Sequence, residues 1–472
     1  MSVNEVTGIA GLSRESFINR MKDHYLPKWE DAVNEATVAW SLLGKKVGSI
    51  IGGRRSLTSV MFNYSQSAGI GLFENDDLPT PRAPSYAQPE IFPRAIYARV
   101  RITGHAERAA RAGNTAVFAK PAKEQLRSAR TQHAMNKNRM TYLGPYQILG
   151  TINSYVHGTG VTTLYSNNSR NSGNNNRYKF GEHFFREGQS IAVVARDGGS
   201  NVDPDGAPVN DNTVAANERL VQSIDDSGAQ PTITVSTALT GGTLGFPTDI
   251  SATADNAIII PWRGRLNAIS SPTATGHDSD FAYPNGLLNL VTDESWKQLV
   301  YALDRTTNRY LRGHVHDTNG AVRAYDEDEV ALIVDRQNTS RFNGGNETNV
   351  ILTHHSMRRE HTREVKDGRR FKPVLGGRGY ARQSYTAGDQ LLPFHTDKDC
   401  PGGLMFVLDT GCFGKFVESP IHMPDDGERF VANKDAREIV LVESFNLACR
   451  APAANGVIDD FDYSMTGLIA TP

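Results

Sequence analysis

The chain has 472 residues, roughly three times the length of a common domain, which excludes a peptide or a single small module. Its residues are 39% hydrophobic and 22% charged, with 50 Lys and Arg against 52 Asp and Glu, which excludes a disordered or strongly basic protein. No apolar run approaches the roughly 18–20 residues of a membrane helix, so we expect no membrane partner.

The N-terminal segment and the cysteines indicate where the protein is made. Residues 1–20 lack the basic start, continuous apolar core and cleavage site of a secretory signal, which predicts a chain kept in the cytoplasm. The three cysteines are an odd number without CxxC spacing. They predict small core residues rather than disulfides or a zinc site.

The first 55 residues have the pattern of an arm. Apolar residues recur at spacings of three and four from Phe17 to Leu43, which predicts amphipathic helix divided at Pro27. Residues 44–55 are small, Gly-rich and basic, and predict a hinge.

Residues 56–103 predict a long two-stranded loop. Five prolines lie between alternating segments at Leu57–Tyr64 and Ile96–Ile102. A loop of this length cannot bury much of its own surface, so it must lie on another surface.

The most regular helical pattern runs from Pro121 to Tyr142, and proline suits the first turn of a helix. Six residues recur at helical spacing and share one face. They are Ala122, Leu126, Ala129, His133, Asn136 and Met140.

A strong charge asymmetry surrounds this helix. From Arg94 to Arg139, eleven Lys and Arg oppose two Glu, a net charge of +9, so the rest of the chain carries −11 to reach the total of −2. A basic stripe of this kind has two readings of equal weight: phosphate contact with double-stranded DNA without base readout, or pairing with acidic surfaces of neighbouring subunits. The candidate residues are Arg108, Arg111, Lys120, Lys123, Arg127, Arg130, Lys137 and Arg139.

From residue 150 the pattern changes to short strands and loops. Segments at Ser190–Ala195, Arg219–Ile224 and Thr232–Ala238 predict strands of an inserted β subdomain over about residues 181–261. Nine carboxylates against two arginines in residues 196–255 suit a solvent-facing subdomain.

The remaining residues predict a mixture of helices and strands. Helices are predicted at Ser295–Leu311 and Ser356–Val365, and strands at Val330–Val334 and Val350–Thr353. Closing strands are predicted at Leu404–Phe406, Phe413–Glu418 and Glu438–Phe445.

Motifs for chemistry are weak. His314 and His316 share one face of a predicted strand, with Asp317 beside them, but no further metal ligand follows at a recognisable spacing. A polar helix start and a solvated turn explain the other candidates, which are His354, His355, His361 and residues 326–329. Neither a phosphate-binding loop nor a nucleophile elbow is present. We therefore expect no enzyme, no cofactor and no metal site.

The order of parts is more informative than any motif. A helical arm, a long two-stranded loop, a basic long helix, a mixed α/β region and closing strands together resemble the major capsid proteins of tailed bacteriophages, the fold first seen in phage Hong Kong 97. The segments similar to that family are Ala98–Phe118, Phe185–Val194, Val221–Ser236, Asn285–Val291, Gly402–Glu418 and Ala436–Pro452.

The resemblance implies an α+β phage major capsid fold that covers nearly the whole chain. Its parts would be an N-terminal arm (1–55), an extended loop (56–103), a peripheral domain with the spine helix (104–150), an axial domain (151–400) containing the inserted β subdomain, and closing peripheral-domain strands (401–472).

The resemblance also implies a function. The chain would self-assemble through heterologous contacts into hexamers and pentamers of an icosahedral shell around double-stranded DNA. The loop would lie over the adjacent subunit and the long helix toward the genome, with the β subdomain outside. The protein would be assembled in the host cytoplasm and reside in the virion, with a portal and a separate scaffolding or decoration protein as further partners. An alternative is an encapsulin-like compartment shell that packages a cargo enzyme.

One departure from some members of that family concerns covalent cross-linking. They join the loop to a neighbour by a Lys–Asn isopeptide bond, whereas no lysine lies between Lys46 and Lys120 here. We therefore expect non-covalent contacts or a cementing protein to hold the shell.

Overall fold

The computed structural model describes two compact units. The described residues are 38–43, 56–57, 60–63, 85–87, 90–104, 121–144, 149–157, 162–166, 184–195, 219–225, 232–235, 257–261, 284–293, 299–301, 303–318, 323–339, 349–365, 384–387, 390–422, 428–430 and 434–461. Unit 1 contains those within Arg94–Asn138 and Val417–Phe445. Unit 2 contains those within Val38–Pro93, Arg139–Phe416 and Asn446–Pro472.

Helices and strands are numbered in chain order within these ranges. The α-helices are α1 (Val38–Leu42), α2 (Pro121–Leu143), α3 (Leu287–Leu290), α4 (Glu327–Thr339) and α5 (His355–Val365). Short 3-10 helices lie at Arg309–Leu311, Thr410–Cys412 and Pro452–Ala454. The strands are β1 (Ser56–Leu57), β2 (Val60–Asn63), β3 (Ser85–Ala87), β4 (Glu90–Ile91), β5 (Arg94–Thr103), β6 (Gly150–His157), β7 (Thr162–Ser166), β8 (Ser190–Ala195), β9 (Arg219–Asp225), β10 (Thr232–Val235), β11 (Ala257–Pro261), β12 (Leu299–Val300), β13 (Leu303–Asp304), β14 (His314–His316), β15 (Val350–Thr353), β16 (Ser384–Ala387), β17 (Gln390–Thr396), β18 (Met405–Leu408), β19 (Phe413–His422), β20 (Glu428–Phe430), β21 (Ala436–Cys449) and β22 (Gly456–Ile458).

Unit 1 contains a helix packed on an antiparallel sheet. β5 and β21 pair from Arg94↔Phe445 to Thr103↔Ala436, and β20 and β19 belong to the same sheet. Alternation along the strands places Val100, Ile102 and Ile439 on one face, where Leu126 and Ala129 of α2 pack against them. The helix predicted for residues 121–142 is therefore confirmed, and Leu126 and Ala129 of its predicted face lie on the sheet.

The predicted two-stranded loop is paired over part of its length. β1 pairs antiparallel with β4 and β2 with β3, so the returning strands are Glu90–Ile91 and Ser85–Ala87 rather than the predicted Ile96–Ile102. The prediction also included residues 94–103 in the loop, but these form β5, which pairs with β21 in unit 1. The apolar residues of β5 have a core under α2, which explains why the strand belongs to the unit rather than to the loop. Residues 64–84 lie outside the described residues.

Unit 2 contains a mixed six-stranded sheet in the order β14-β22-β18-β15-β17-β16. Every position of β15 and β18 is buried, which accounts for their continuous apolar sequences. The buried apolar residues of α4 pack with these strands in one core, together with Tyr325 and Phe461.

A closed six-stranded barrel, in the order β10-β7-β6-β11-β8-β9, also lies in unit 2. β8 has the predicted bounds, and β9 and β10 begin where the other two strands of the inserted subdomain were predicted to begin. The barrel begins earlier than residue 181, because β6 and β7 complete the ring by pairing with β11 and β10. The β unit therefore extends from about residue 150 to residue 261.

The strand predicted at Val330–Val334 is wrong, because these residues belong to α4. The β-branched side chains suggest a strand, yet they recur at the three- and four-residue spacing of a buried helix face. Asp326 also accepts the amide hydrogen of Asp328 at 2.9 Å, and acidic residues fill the first turn, where the helix dipole favours them. The buried residues of α4 are Val330, Ile333, Val334 and Gln337.

The helix predicted at Ser295–Leu311 is also wrong in its described part. β12 and β13 form a hairpin there, with Tyr301 in the left-handed region at φ 58°, and a 3-10 helix follows. Arg305 follows this hairpin, and its fully buried guanidinium donates to backbone carbonyls of Asn289, Leu290 and Leu311. A continuous helix would place this cation elsewhere.

Of the predicted N-terminal arm, the structure describes only α1 and Leu43. The helical pattern before Val38 and the hinge at 44–55 lie outside the described residues. Val350–Thr353 is a strand as predicted, and α5 matches the helix predicted at Ser356–Val365 to within one residue. Cys400 and Cys449 are buried, as expected of core cysteines, whereas Cys412 is only half-buried.

Candidate functional site

The basic stripe is placed in part by α2. Lys123 lies in the first turn of this helix, and Arg127 and Arg130 are exposed at a spacing of three residues, which puts them on one helix face. Arg108, Arg111 and Lys120 lie outside the described residues.

Lys137 makes an internal contact. Its ammonium binds Oε1 of Glu443 on β21 and lies 4.6 Å from the ring centroid of Phe445. Nε2 of His133 lies 2.7 Å from the other carboxylate oxygen of Glu443, so this nitrogen carries the proton. One carboxylate thus holds two α2 side chains against the sheet of unit 1.

Burial and charge act in opposite directions on this cluster. Burial lowers the pKa of Lys137, and the hydrogen bond to Glu443 offsets this only in part. Burial alone would raise the pKa of Glu443, but the hydrogen bonds and charges of His133 and Lys137 lower it below its ordinary value. Glu443 is therefore held as a carboxylate.

Arg139 is buried in unit 2, where Nη1 donates to the carbonyl oxygen of Phe184 at 3.5 Å. Arg139 and Lys137 are thus engaged inside the protein. Among the candidates whose side chains the structure describes, the exposed ones are Arg127 and Arg130.

The sheet face of unit 1 that points away from α2 is partly exposed. Tyr97 is 66% exposed and pairs across the ladder with Val442, and Arg99 is the neighbour opposite Val440. The Arg99 guanidinium donates to Oε2 of Glu438 at 2.6 Å. This ion pair is solvent-exposed on the arginine side, so it contributes little to stability.

His314 and His316 lie on β14, with Asp317 directly after it, but their surroundings do not favour a metal. Nε2 of His316 contacts the carboxylate of Glu329 and lies 2.9 Å from Nη1 of Arg323, so a guanidinium already occupies the position of a bound cation. Burial and Arg323 lower the pKa of His316, and burial lowers that of His314. Within the described ranges, no group of three or more His, Cys, Asp and Glu side chains could hold a metal ion.

Two of the other candidate histidines, His354 and His361, lie at a helix start and in a core. Nδ1 of His354 accepts the amide hydrogen of Ser356 at 3.3 Å, which caps α5, and burial lowers the pKa of His354 to about 4. His361 stacks on Phe394 with ring centroids 4.5 Å apart.

The described helices include none with the length and apolar sequence of a membrane span.

Glu443 was not among the residues that the sequence singled out. A lone glutamate in an otherwise alternating strand has no motif, and its partners on α2 are more than 300 residues away, at a separation of 306 for Lys137. The available signal was the two-residue alternation of the strand. It places Glu443 on the inward face of β21, with Ile439 and Leu441.

Comparison with known proteins gives likeness in structure alone. No protein-family model and no curated protein matches the sequence. The capsid asymmetric unit of cyanophage A-1(L) is similar with a TM-score of 0.50 and 11% identity, over 95% of this chain and 98% of that chain. A chain of Mycobacterium phage Adephagia has a TM-score of 0.41 and 8% identity, over 96% of this chain and 99% of that chain. An encapsulin complex from Synechococcus elongatus PCC 7942 has a TM-score of 0.23 and 13% identity, over 37% of this chain and 59% of that chain.

The likeness to the cyanophage A-1(L) chain extends over nearly all of both chains. The chain therefore has the phage capsid fold, with mixed helix and sheet, as the order of its sequence segments predicted. The limits of the peripheral and axial domains and the role of the basic stripe stay predictions.

Proposed function

We propose that this chain is the major capsid protein of a tailed bacteriophage. Copies of it assemble through heterologous contacts into hexamers and pentamers of an icosahedral shell, which encloses the double-stranded DNA genome. The observation that supports this most directly is the likeness in fold to a cyanophage capsid chain over 95% of this chain and 98% of that one.

The loop supplies a physical reason for assembly. β1 to β4 form two short ladders, and a two-stranded ribbon on its own is marginal in water. In a shell, the adjacent subunit provides the surface on which the loop packs. Repeated heterologous contacts between identical chains then close into rings.

The charge distribution supports an orientation of the subunit. Arg127 and Arg130 face the genome and bind phosphates without base readout. The acidic segment at residues 196–255 belongs to the barrel part of the chain, which faces outward, since packaged DNA would repel it. A portal and a separate scaffolding or decoration protein complete the particle, and the protein resides in the virion after assembly in the host cytoplasm.

Electron microscopy of the purified full chain tests the proposal. We expect closed shells of uniform size with fivefold and sixfold capsomers. They should form from the chain alone or from the chain co-expressed with a scaffolding protein. A protein that stays monomeric under both conditions would overturn it. Shells that co-purify with one enzyme and exclude DNA would favour the compartment alternative.

A further inference from the structure

α1 is too short to be stable alone, since isolated helices of fewer than about 12 residues are marginal in water. Its position therefore depends on tertiary contacts. Ala39 is fully buried, and Leu43 directly after the helix is nearly so. Val38 and Leu42 pack against the same core, and Nζ of Lys415 lies 4.9 Å from the ring centroid of Trp40.

One buried carboxylate joins α1 to the rest of unit 2. Oδ2 of Asp397 accepts the amide hydrogen of Ala39 at 3.3 Å and the hydroxyl hydrogen of Tyr142, near the end of α2, at 2.9 Å. Oδ1 accepts the amide hydrogen of Asp399 at 3.0 Å. Asp397 is 2% exposed, and its own amide donates to the carbonyl oxygen of Thr353 at 3.0 Å.

This arrangement requires acceptors on both carboxyl oxygens. The Ala39 amide is among the first amides of a helix, which have no partner within the helix, and a negative charge is favourable there. An amide at position 397 would place its NH2 group either toward Ala39 and Tyr142 or toward Asp399. In both orientations, a donor faces a donor.

We propose that Asp397 is the anchor of α1, and that shell assembly depends on this anchor. α1 lies between the predicted arm before residue 38 and the predicted hinge at 44–55, so the arm starts from it directly and the loop starts from it through the hinge. A fixed start limits the directions that each segment can take, which reduces the entropy lost when the segment binds a neighbour. The assembly half of this inference rests on the proposed function.

Two variants of the full chain test the anchor by hydrogen exchange. In unassembled protein, we expect Asp397→Asn to speed amide exchange of the peptide that covers residues 38–43 at least tenfold, and Tyr142→Phe to speed it several-fold. Tyr325→Phe is the matched control. It removes the hydroxyl of another buried tyrosine in unit 2, which lies 3.0 Å from Nδ1 of His361, and should leave this peptide unchanged.

Assembly is measured on the same three variants. We expect the lowest protein concentration that yields shells in electron micrographs to rise at least tenfold for Asp397→Asn and to stay unchanged for Tyr325→Phe. Exchange at the wild-type rate in both anchor variants would overturn the anchor. Faster exchange with normal shells would overturn its role in assembly.

The exchange rates still decide the role of Asp397 if one variant is insoluble or if the wild-type chain does not assemble. If Asp397→Asn is insoluble, the exchange rate of Tyr142→Phe decides. This variant should fold, because it keeps the carboxylate and the bond to Ala39 and removes only the hydroxyl that also binds the carboxylate. If the wild-type chain forms no shells under any condition, the proposed function fails, whereas the exchange rates still decide whether Asp397 anchors α1.

Discussion

Gly286 lies against Gly144 so closely that a Cβ atom on Gly286 would be 2.4 Å from the amide nitrogen of Gly144 and 2.6 Å from the carbonyl oxygen of Met140. Both contacts are with backbone atoms, which cannot rotate away. Gly144 ends α2 in the left-handed region at φ 67°, and Gly286 precedes α3. Within unit 2, the end of α2 and the start of α3 therefore approach backbone to backbone, which requires glycine.

Gly286→Ala should destabilise the protein by about 3 kcal/mol, because the methyl group forces the ends of α2 and α3 apart. The measurement is denaturant unfolding of the unassembled protein. Gly188→Ala is the control: Gly188 has φ 78° but no atom within 4 Å of the added methyl. It should cost about 1 kcal/mol, from backbone strain alone. Equal losses in both variants would contradict the close approach.

The sequence was most informative where local pattern and burial agree. α2 begins at the predicted proline and ends within one residue of the predicted limit, because a single apolar face packs on a single sheet. β15 was predicted correctly for a similar reason, as a short apolar run buried on both faces. The pattern misled at α4, where three β-branched residues outweighed an acidic first turn and an aspartate cap.

Buried polar contacts could not be predicted, because they join residues that are far apart in the chain. Asp397 binds Tyr142 and Ala39 across 255 and 358 residues, and neither end has a motif. Charge counting had the same limit: Lys137 and Arg127 count equally in a stripe, although one is bound to Glu443 and the other is exposed. Only the fold distinguishes an internal cation from one on the surface.

Glu443→Gln should destabilise the protein at pH 7 by about 1–3 kcal/mol, because half-buried Lys137 and buried His133 lose a charged acceptor. The lowered pKa of Glu443 means that its stabilisation is present above its ordinary value of 4.5 and is lost as the pH falls through the folded-state pKa. The difference from wild type should therefore shrink below about pH 4.5. Unfolding midpoints from pH 7 to pH 3 measure it.

The exposed Glu418 offers the control for this prediction, since Glu418→Gln removes the same charge from the surface of unit 1. It should change the unfolding midpoint little at any pH. A constant difference between wild type and Glu443→Gln across the whole pH range would contradict the ionised state of Glu443.

Arg127→Gln with Arg130→Gln distinguishes the two readings of the basic stripe. If these side chains bind DNA phosphates, the slope of log Kd against log salt concentration should fall by about 2, since each contact releases about 0.9 of a counterion. Fluorescence anisotropy with a duplex of arbitrary sequence measures the slope. Arg358→Gln with Arg359→Gln removes the same charge from exposed positions of α5 and should leave it unchanged. Normal DNA binding with loss of shells would instead support pairing between subunits.

Replacing residues 64–84 by a two-residue Asn-Gly turn should leave a soluble subunit that forms no closed shells. The pairing of Asn63 with Ser85 makes this turn a suitable closure, so β2 and β3 can stay paired while the surface predicted to cover a neighbour is removed. Replacing residues 197–217, between β8 and β9, by a six-residue Gly-Ser linker is the control, and should still allow shells because it removes only a segment proposed to face outward. Electron microscopy and sedimentation of both proteins measure the outcome. Normal particles from the loop deletion would contradict the proposed contact, whereas loss of shells in both deletions would mean that the barrel connection also takes part in assembly.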